Sequence, residues 1–155
     1  MSETTNVSAQ ARPRDVFESL VRLSAEGSWG ELADLYAEDV VIEIPFAMPG
    51  APRRAQGNSV FRGRLQASAD RRDVNKVQNV VIHETADPEV VIGEYELHLT
   101  SANSGEPHVC GYVTVIRVRD GKIVHSRGYS DPLAQAEALG KMPEVLALLN
   151  EKFGG

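Results

Sequence analysis

Residues 107–130 read PHVCGYVTVIRVRDGKIVHSRGYS, two runs rich in β-branched and aromatic residues on either side of Asp120-Gly121. Such runs favour β-strands, and Asp-Gly between them is a strong short-range signal for a two-residue hairpin turn. We therefore predict two antiparallel strands, over residues 107–119 and 122–130, joined by that turn.

Two further strand-like runs, at residues 75–85 and 89–101, precede this hairpin. Ala86-Asp87-Pro88 separates the two runs, and Asn103-Ser104-Gly105 separates the second run from the hairpin. Parallel neighbours would need a crossover of a dozen or more residues, so turns this short predict consecutive antiparallel pairs. The four strands should therefore form a curled meander.

Amphipathic helices are predicted on both sides of the meander. Apolar residues recur there at a spacing of three or four, and Asp131-Pro132 has residue types preferred at a helix start. Helices followed by a meander predict an α+β fold, in which a cone-shaped, curved antiparallel sheet wraps around the N-terminal helices and leaves a cavity. In chain order we predict a helix from Pro13 to Gly27, a helix from Trp29 through Tyr36, a strand over 40–44, a loop broken by proline and glycine over 45–58, a helix near 62–70, a helix from Pro132 to Gly140 and a helix over 143–153.

Composition limits the classes of function. The chain has 155 residues, and its 16 basic and 22 acidic side chains give a net charge of −6. We expect a disordered leader over residues 1–12 and a single domain over 13–155. An acidic chain without a basic block is a poor candidate for binding nucleic acid or an anionic membrane.

Cofactors and targeting signals are not indicated. The single cysteine and four scattered histidines predict neither a disulfide nor a metal site, and no glycine-rich phosphate loop is present. The sequence has no readable signal peptide and no apolar run long enough to span a membrane. We therefore expect a cytoplasmic protein that works without a cofactor.

Five segments point beyond the fold class. They are Gly27 to Trp29 together with Leu35 to Val40, Pro45 to Arg54, Gln78 to Pro88, Val118 to Ile123, and Arg127 to Leu133. In this order they resemble the SnoaL-like domains of the nuclear-transport-factor-2-like superfamily, which also contains ketosteroid isomerase. The segment from Gln78 to Pro88 resembles the phenazine-biosynthesis branch in particular.

The resemblance implies a cystatin-like α+β barrel, usually a homodimer packed through the sheet, among whose members are isomerases, polyketide cyclases, dehydratases, epoxide hydrolases and proteins without known activity. It places Ile44 where ketosteroid isomerases carry a carboxylate base, and Thr114 where they carry an oxyanion-stabilising aspartic acid. Gly128 stands where phenazine-type and epoxide-hydrolase-like members carry an acid. These departures argue against all three of those chemistries in this chain.

Strand alternation allows two interiors, because side chains along a strand point to opposite faces. In the first, favoured by the resemblance, Tyr95, Leu97 and Leu99 face inward, which makes the cavity apolar with scattered hydroxyls. In the second, a bulge shifts that strand by one residue. Glu94, Glu96 and His98 would then face inward, in a site suited to acid–base chemistry.

Three residues are candidates for catalysis. Tyr112 could donate a proton or a hydrogen bond to a substrate carbonyl, Thr114 could hold a developing oxyanion, and Glu94 aligns with a glutamate found in many SnoaL-like strands. Arg53-Arg54 could meet an anionic substrate. The residues expected to contact a substrate are Ile44, Phe46, Met48, Tyr95, Leu97, Cys110, Ser126, Gly128 and Ser130.

Three functions stay open at this point. The first is a cofactor-free enzyme that isomerises, cyclises or dehydrates a small, largely apolar cyclic metabolite. The second is a non-catalytic binding protein for such a metabolite, suggested by the loss of the family acids at Ile44 and Gly128. The third is an assembly subunit that uses the outer sheet face, with Val109, Val113 and Val115. A homodimer is compatible with all three.

Overall fold

The structure, a computed structural model, describes residues 11–155 and contains five helices and six strands in that range. All but the last two residues of the predicted leader, 1–12, lie outside the described residues. The helices are α1 (Pro13–Glu26), α2 (Trp29–Asp34), α3 (Asn58–Ala69), α4 (Pro132–Ala138) and α5 (Met142–Phe153). The strands are β1 (Tyr36–Glu43), β2 (Arg54–Gln56), β3 (Arg72–Glu84), β4 (Val90–Ser101), β5 (Pro107–Arg119) and β6 (Lys122–Ser130).

The predicted meander is confirmed, and so is the α+β class with a curved sheet. The strand order is β2-β1-β6-β5-β4-β3, and the sheet is not closed. The turn between β5 and β6 has φ of 53° at Asp120 and 76° at Gly121, and both values lie in the left-handed region that a tight hairpin turn uses.

One strand pair corrects the prediction of a wholly antiparallel sheet. β1 runs parallel to β6, with Ile42 opposite Ser126 and Glu43 opposite Arg127. The chain reaches β6 from β1 only after passing through the whole meander, so a hairpin turn does not constrain their relative direction.

The region around Tyr36 also differs from the prediction. Helix α2 ends at Asp34, and Tyr36 begins β1 opposite Ile123 of β6. Tyr36 is buried, and its ring lies 4.1 Å from that of Phe61, measured between centroids. Sheet pairing and burial thus outweigh the helical spacing of this tyrosine.

The predicted broken loop over 45–58 contains a short strand, β2, which pairs antiparallel with β1. The Ile44 N–H donates to the Arg53 carbonyl at 2.8 Å and closes the loop between these two strands. Helix α3 follows at once and begins at Asn58, earlier than predicted. The Asn58 side-chain amide donates to the carbonyls of Ala33 and Tyr36, which ties α3 to the start of β1.

Helix α1 packs across the inner face of the sheet and supplies much of the core. Phe17 is fully buried and lies directly over Gly93 of β4. A Cβ at residue 93 would come within 1.9 Å of the Phe17 ring, so only glycine allows this close approach. No helix between residues 11 and 155 combines the length and apolar character that crossing a bilayer requires.

Candidate functional site

The structure has the first of the two predicted interiors. β4 and β5 pair without a register shift, with Tyr95 opposite Tyr112. Leu97 and Leu99 are buried, whereas Glu94 is exposed. Register shifts do occur, but they lie in β3, where Asn79 adopts a φ of 54°, and in the pairings of β6 with β1 and β5. They leave the alternation of β4 unchanged.

Glu94 lies on the outer face of the sheet. Its carboxylate is 2.5 Å from the His83 ring, and its side chain is 52% exposed. Glu96 accepts a hydrogen bond from the Asn79 amide at 2.7 Å on the same face. Glu94 therefore does not share a site with Thr114, which is buried on the inner face, and the sheet separates the two side chains.

A pocket of about 450 Å³ lies on the inner side of the sheet, beneath the loop that follows β1 and against α3. Leu139 and Lys141, between α4 and α5, complete its wall. A Cβ at Gly50 of the loop would lie 3.2 Å from Leu148 of α5, so this helix packs on the loop. The pocket wall contains five of the residues predicted from sequence, namely Ile44, Phe46, Met48, Tyr112 and Ser130.

Most of the other predicted residues belong to the core. Leu97, Cys110, Thr114 and Ser126 are each less than a tenth exposed and do not line this pocket. Gly128 also lies outside the pocket wall, and a Cβ added there would have Thr114 Oγ1 as its nearest neighbour, at 3.9 Å.

Tyr112 is at the centre of a hydrogen-bond network in the pocket. Its hydroxyl oxygen accepts from the Gln135 amide at 3.0 Å and from the Arg72 guanidinium at 3.4 Å. The same Gln135 nitrogen donates to Ser130 Oγ at 2.7 Å. A phenol oxygen has two acceptor sites and one proton. Both acceptor sites are therefore occupied, while the phenolic proton has no protein acceptor among the described residues.

Tyr95 supports Tyr112 from the core side. The two rings stack with centroids 5.3 Å apart and an interplanar angle of 9°. The Tyr95 hydroxyl is 3.4 Å from Thr114 Oγ1, so these two groups partner each other and not a ligand in the pocket. Burial raises the pKa of Tyr95 to about 12.

Burial also governs the protonation of the neighbouring groups. It raises the pKa of Tyr112, and the charge of Arg72 partly offsets that shift. Tyr112 is therefore a neutral hydrogen-bond donor around neutral pH. Burial likewise raises the pKa of the Cys110 thiol, which makes this cysteine a poor nucleophile.

Sequence reasoning missed Arg72 and Gln135. The first strand of the meander was predicted from residue 75, which left Arg72 in a connector. β3 in fact begins at Arg72, and alternation with Val74 turns both side chains away from solvent. Extending the strand alternation from Val74 back by two residues would have placed Arg72 on the same face. Gln135 lies one turn after the helix cap Asp131, whose carboxylate accepts from the Leu133 and Ala134 amides.

The described part of the chain contains no recognisable cluster of metal ligands. Residues 11–155 contain no group of three or more histidine, cysteine, aspartate or glutamate side chains placed to hold an ion. The pocket offers instead a phenol, an amide and guanidinium groups. Such groups can polarise a carbonyl and stabilise negative charge on oxygen.

Comparison with known proteins agrees with this architecture. An uncharacterized PhzA/B-like protein of Pseudomonas aeruginosa is 31% identical over 127 residues, which are 82% of this chain and 89% of that protein. A crystal structure from Bacillus subtilis, described provisionally as an isomerase, has a TM-score of 0.76 at 26% identity and covers 82% of this chain and 91% of its own.

A second crystal structure, from Xanthomonas campestris pv. campestris, carries the provisional description of a polyketide cyclase. Its TM-score is 0.69 at 20% identity, over 86% of this chain and 98% of its own, which indicates a shared fold. The sequence profile described as "SnoaL-like domain" matches residues 17–126, well over half of the chain. This protein therefore belongs to the SnoaL-like domain family.

Proposed function

We propose that the chain is a cofactor-free isomerase, cyclase or dehydratase that acts on a small, largely apolar cyclic metabolite in the pocket on the inner sheet face. Membership of the SnoaL-like family and the fold shared with structures described as an isomerase and a polyketide cyclase support this class of reaction. The apolar part of the pocket wall supports the character of the substrate. Its residues include Ile42, Ile44, Phe46, Met48, Phe61 and Leu65.

The observation that carries the proposal is the free proton of Tyr112. Gln135 and Arg72 both donate to its oxygen, so the phenol can donate only to a further acceptor. A substrate carbonyl in the pocket would supply that acceptor. As the carbon next to the carbonyl loses a proton to solvent water, negative charge develops on the carbonyl oxygen. The hydrogen bond from Tyr112 then strengthens, and the positive charge of Arg72 stabilises that oxyanion.

A non-catalytic binding protein is the second candidate, and one observation favours it. The described residues that line the pocket include no carboxylate and no imidazole. The usual bases for abstracting a proton from carbon are thus missing from the wall. On this alternative, Tyr112 and Gln135 would orient a ligand without changing it.

The test is dehydration of a cyclic β-hydroxy ketone, followed by ultraviolet absorbance as the conjugated enone forms. We expect Tyr112→Phe to lower kcat/KM by about 10²-fold, because a positioned hydrogen-bond donor to a developing oxyanion contributes on that order. Tyr129→Phe is the matched control, since Tyr129 lies on the outer face opposite Val113 and does not line the pocket. Full activity of Tyr112→Phe would contradict the catalytic assignment. Saturable binding of the ketone without turnover would favour the binding protein.

We also propose that two copies pair through the outer face of the sheet. Three valines are exposed there, a pattern uncommon on the free surface of a monomer. They are Val81 (48%), Val109 (53%) and Val113 (37%). Pairing through this face would leave the inner pocket open to a ligand.

A further inference from the structure

The pocket carries a charge opposite to that of the molecule. Four basic residues contribute to its wall, Arg64, Arg71, Arg72 and Lys141, and no acidic residue does. The chain as a whole has 22 acidic residues against 16 basic ones. Positive charge is therefore concentrated at this pocket against the overall balance.

These cations also lack the ion pairs that most of the other arginines make. Six arginines of the described chain have a carboxylate within 4.0 Å, as Arg62 does with Asp34 and Arg119 with Glu89. None of the four basic residues of the pocket has such a partner among residues 11–155. Their charge is available to a ligand.

Among these residues, Arg72 most clearly lacks partners in the protein. Its Nε atom is buried and makes no hydrogen bond to the protein, and its Nη1 makes only the 3.4 Å contact to the Tyr112 hydroxyl. A partly buried guanidinium without an anionic partner is unfavourable, because burial weakens its hydration and nothing replaces it. An anionic ligand would supply both the charge and the missing acceptor.

We infer that the ligand of this pocket is a ring compound bearing a carboxylate, whose ring lies against the apolar wall and whose carboxylate is bound by Arg72 with help from Arg64, Arg71 and Lys141. Guanidinium and carboxylate groups match in geometry and can form two parallel hydrogen bonds. This inference rests on the proposed function, since it takes the same pocket as the ligand site. It adds the charge of the substrate and the residues that recognise it.

The test uses naphthoate and naphthamide, which have the same ring and nearly the same shape but differ in charge. Titration of isotope-labelled protein, followed by amide chemical shifts, measures the affinity and shows where each compound binds. We expect shifts at β5 around Tyr112 and at Arg72, with naphthoate bound at least about tenfold more tightly than naphthamide, as expected for a charge-assisted hydrogen bond.

Two variants test which residues cause the tighter binding of naphthoate. Arg72→Gln should weaken naphthoate binding by about tenfold and leave naphthamide within about twofold, since only the charge–charge interaction is lost. Arg71→Gln, at an exposed position, should weaken naphthoate binding in the same direction even if Arg72→Gln disturbs folding. Arg22→Gln is the control, because Arg22 is exposed on α1 and lies outside the pocket wall. Arg53→Gln tests the loop arginine that the sequence suggested for an anionic substrate.

The outcomes separate the two proposals. Equal affinity for the two compounds at the pocket would overturn the inference and leave the proposed function standing. Loss of naphthoate binding in Arg53→Gln, but in neither Arg71→Gln nor Arg72→Gln, would overturn the assignment of the binding residues. If neither compound shifts the amides of the pocket wall, both the inference and the proposed ligand site fail.

Discussion

At the scale of single residues, Gly93 decides how closely α1 packs on the sheet. The Phe17 ring occupies the space that a Cβ at residue 93 would need, at 1.9 Å. We expect Gly93→Ala to lower the free energy of unfolding by about 3 kcal/mol, because overpacking forces the ring or the helix to move. Urea denaturation measures the change.

The matched control is a second strand glycine. Gly111 is exposed on β5, and an added Cβ would meet no atom within 4 Å. Gly111→Ala should leave stability unchanged or raise it by about 0.5 kcal/mol, since alanine loses less backbone entropy on folding. Equal losses in both variants would mean that strand glycines matter here for some reason other than the Phe17 contact.

Tyr95 belongs to the same scale and predicts an alkaline effect. Burial raises its pKa from 10.0 to about 12. In the unfolded chain the phenol ionises first, so its contribution to stability is complete below pH 10 and is lost as the pH rises from 10 to 12. Tyr95→Phe cannot ionise, and its stability should therefore fall less steeply over this range than that of the wild type.

The measurement is denaturant unfolding of both proteins at neutral pH and at several values above pH 10. Subtracting the difference in stability measured at neutral pH corrects for the effect of losing the hydroxyl that does not depend on pH. Parallel stability curves for the two proteins across the alkaline range would contradict the buried, protonated state of Tyr95.

At the scale of elements, Glu89 joins the start of β4 to the end of β5. Its carboxylate accepts hydrogen bonds from Arg117 at 2.9 Å and from Arg119 at 2.9 and 3.0 Å. The Val118 N–H donates to the Glu89 carbonyl at 2.8 Å. The hydrogen bonds from Arg119 and Arg117 lower the pKa of this carboxyl from 4.5 to about 2.

A carboxyl with a lowered pKa stabilises the fold above its unfolded value and loses that effect as acid is added. We therefore expect the Glu89 contribution to be present above pH 4.5 and to disappear as the pH falls towards 2. Glu89→Gln should be less stable than the wild type at neutral pH and should approach it below pH 3, when thermal unfolding is followed by circular dichroism.

Glu38→Gln is the control for this acid effect, because Glu38 is exposed on β1 and has no basic side chain within 4.0 Å among the described residues. Its unfolding temperature should follow that of the wild type through the same pH range. A constant gap between Glu89→Gln and the wild type from neutral to acid pH would contradict the role of the ion pairs.

At the scale of the whole molecule, the outer sheet face predicts the oligomeric state. Val109 and Val113 lie on this face of β5 and are 53% and 37% exposed. We expect a dimer for the wild type and a monomer for the double variant Val109→Lys/Val113→Lys, because paired lysines would place like charges across a two-fold interface. Sedimentation equilibrium measures both.

Val60→Lys is the matched substitution. Val60 is exposed to a similar degree, 47%, but lies on α3 away from the outer sheet face. It should leave the dimer intact. A wild-type protein that sediments as a monomer at high concentration would contradict the proposed interface.

Prediction from sequence succeeded where the signal was local. Asp120-Gly121 predicted the hairpin between β5 and β6, and Asp131 predicted the start of α4 through its side-chain cap. It was wrong at Tyr36, where a contact with β6, far along the chain, outweighed helical spacing. It missed the pairing of Arg72 with Tyr112 because these residues are 40 positions apart in sequence.

The amino-acid sequence by itself determined the fold class, the meander and the family, because turn residues, alternation and helix caps act over a few neighbouring positions. The tertiary structure alone decided which face of β4 is inner, which side chain approaches the Tyr112 hydroxyl and where positive charge collects. Those properties depend on residues distant in the chain, Arg72, Gln135 and Lys141 among them, that meet only when the sheet curves and the last helices close over it. The candidate chemistry of this protein is therefore a property of its packing.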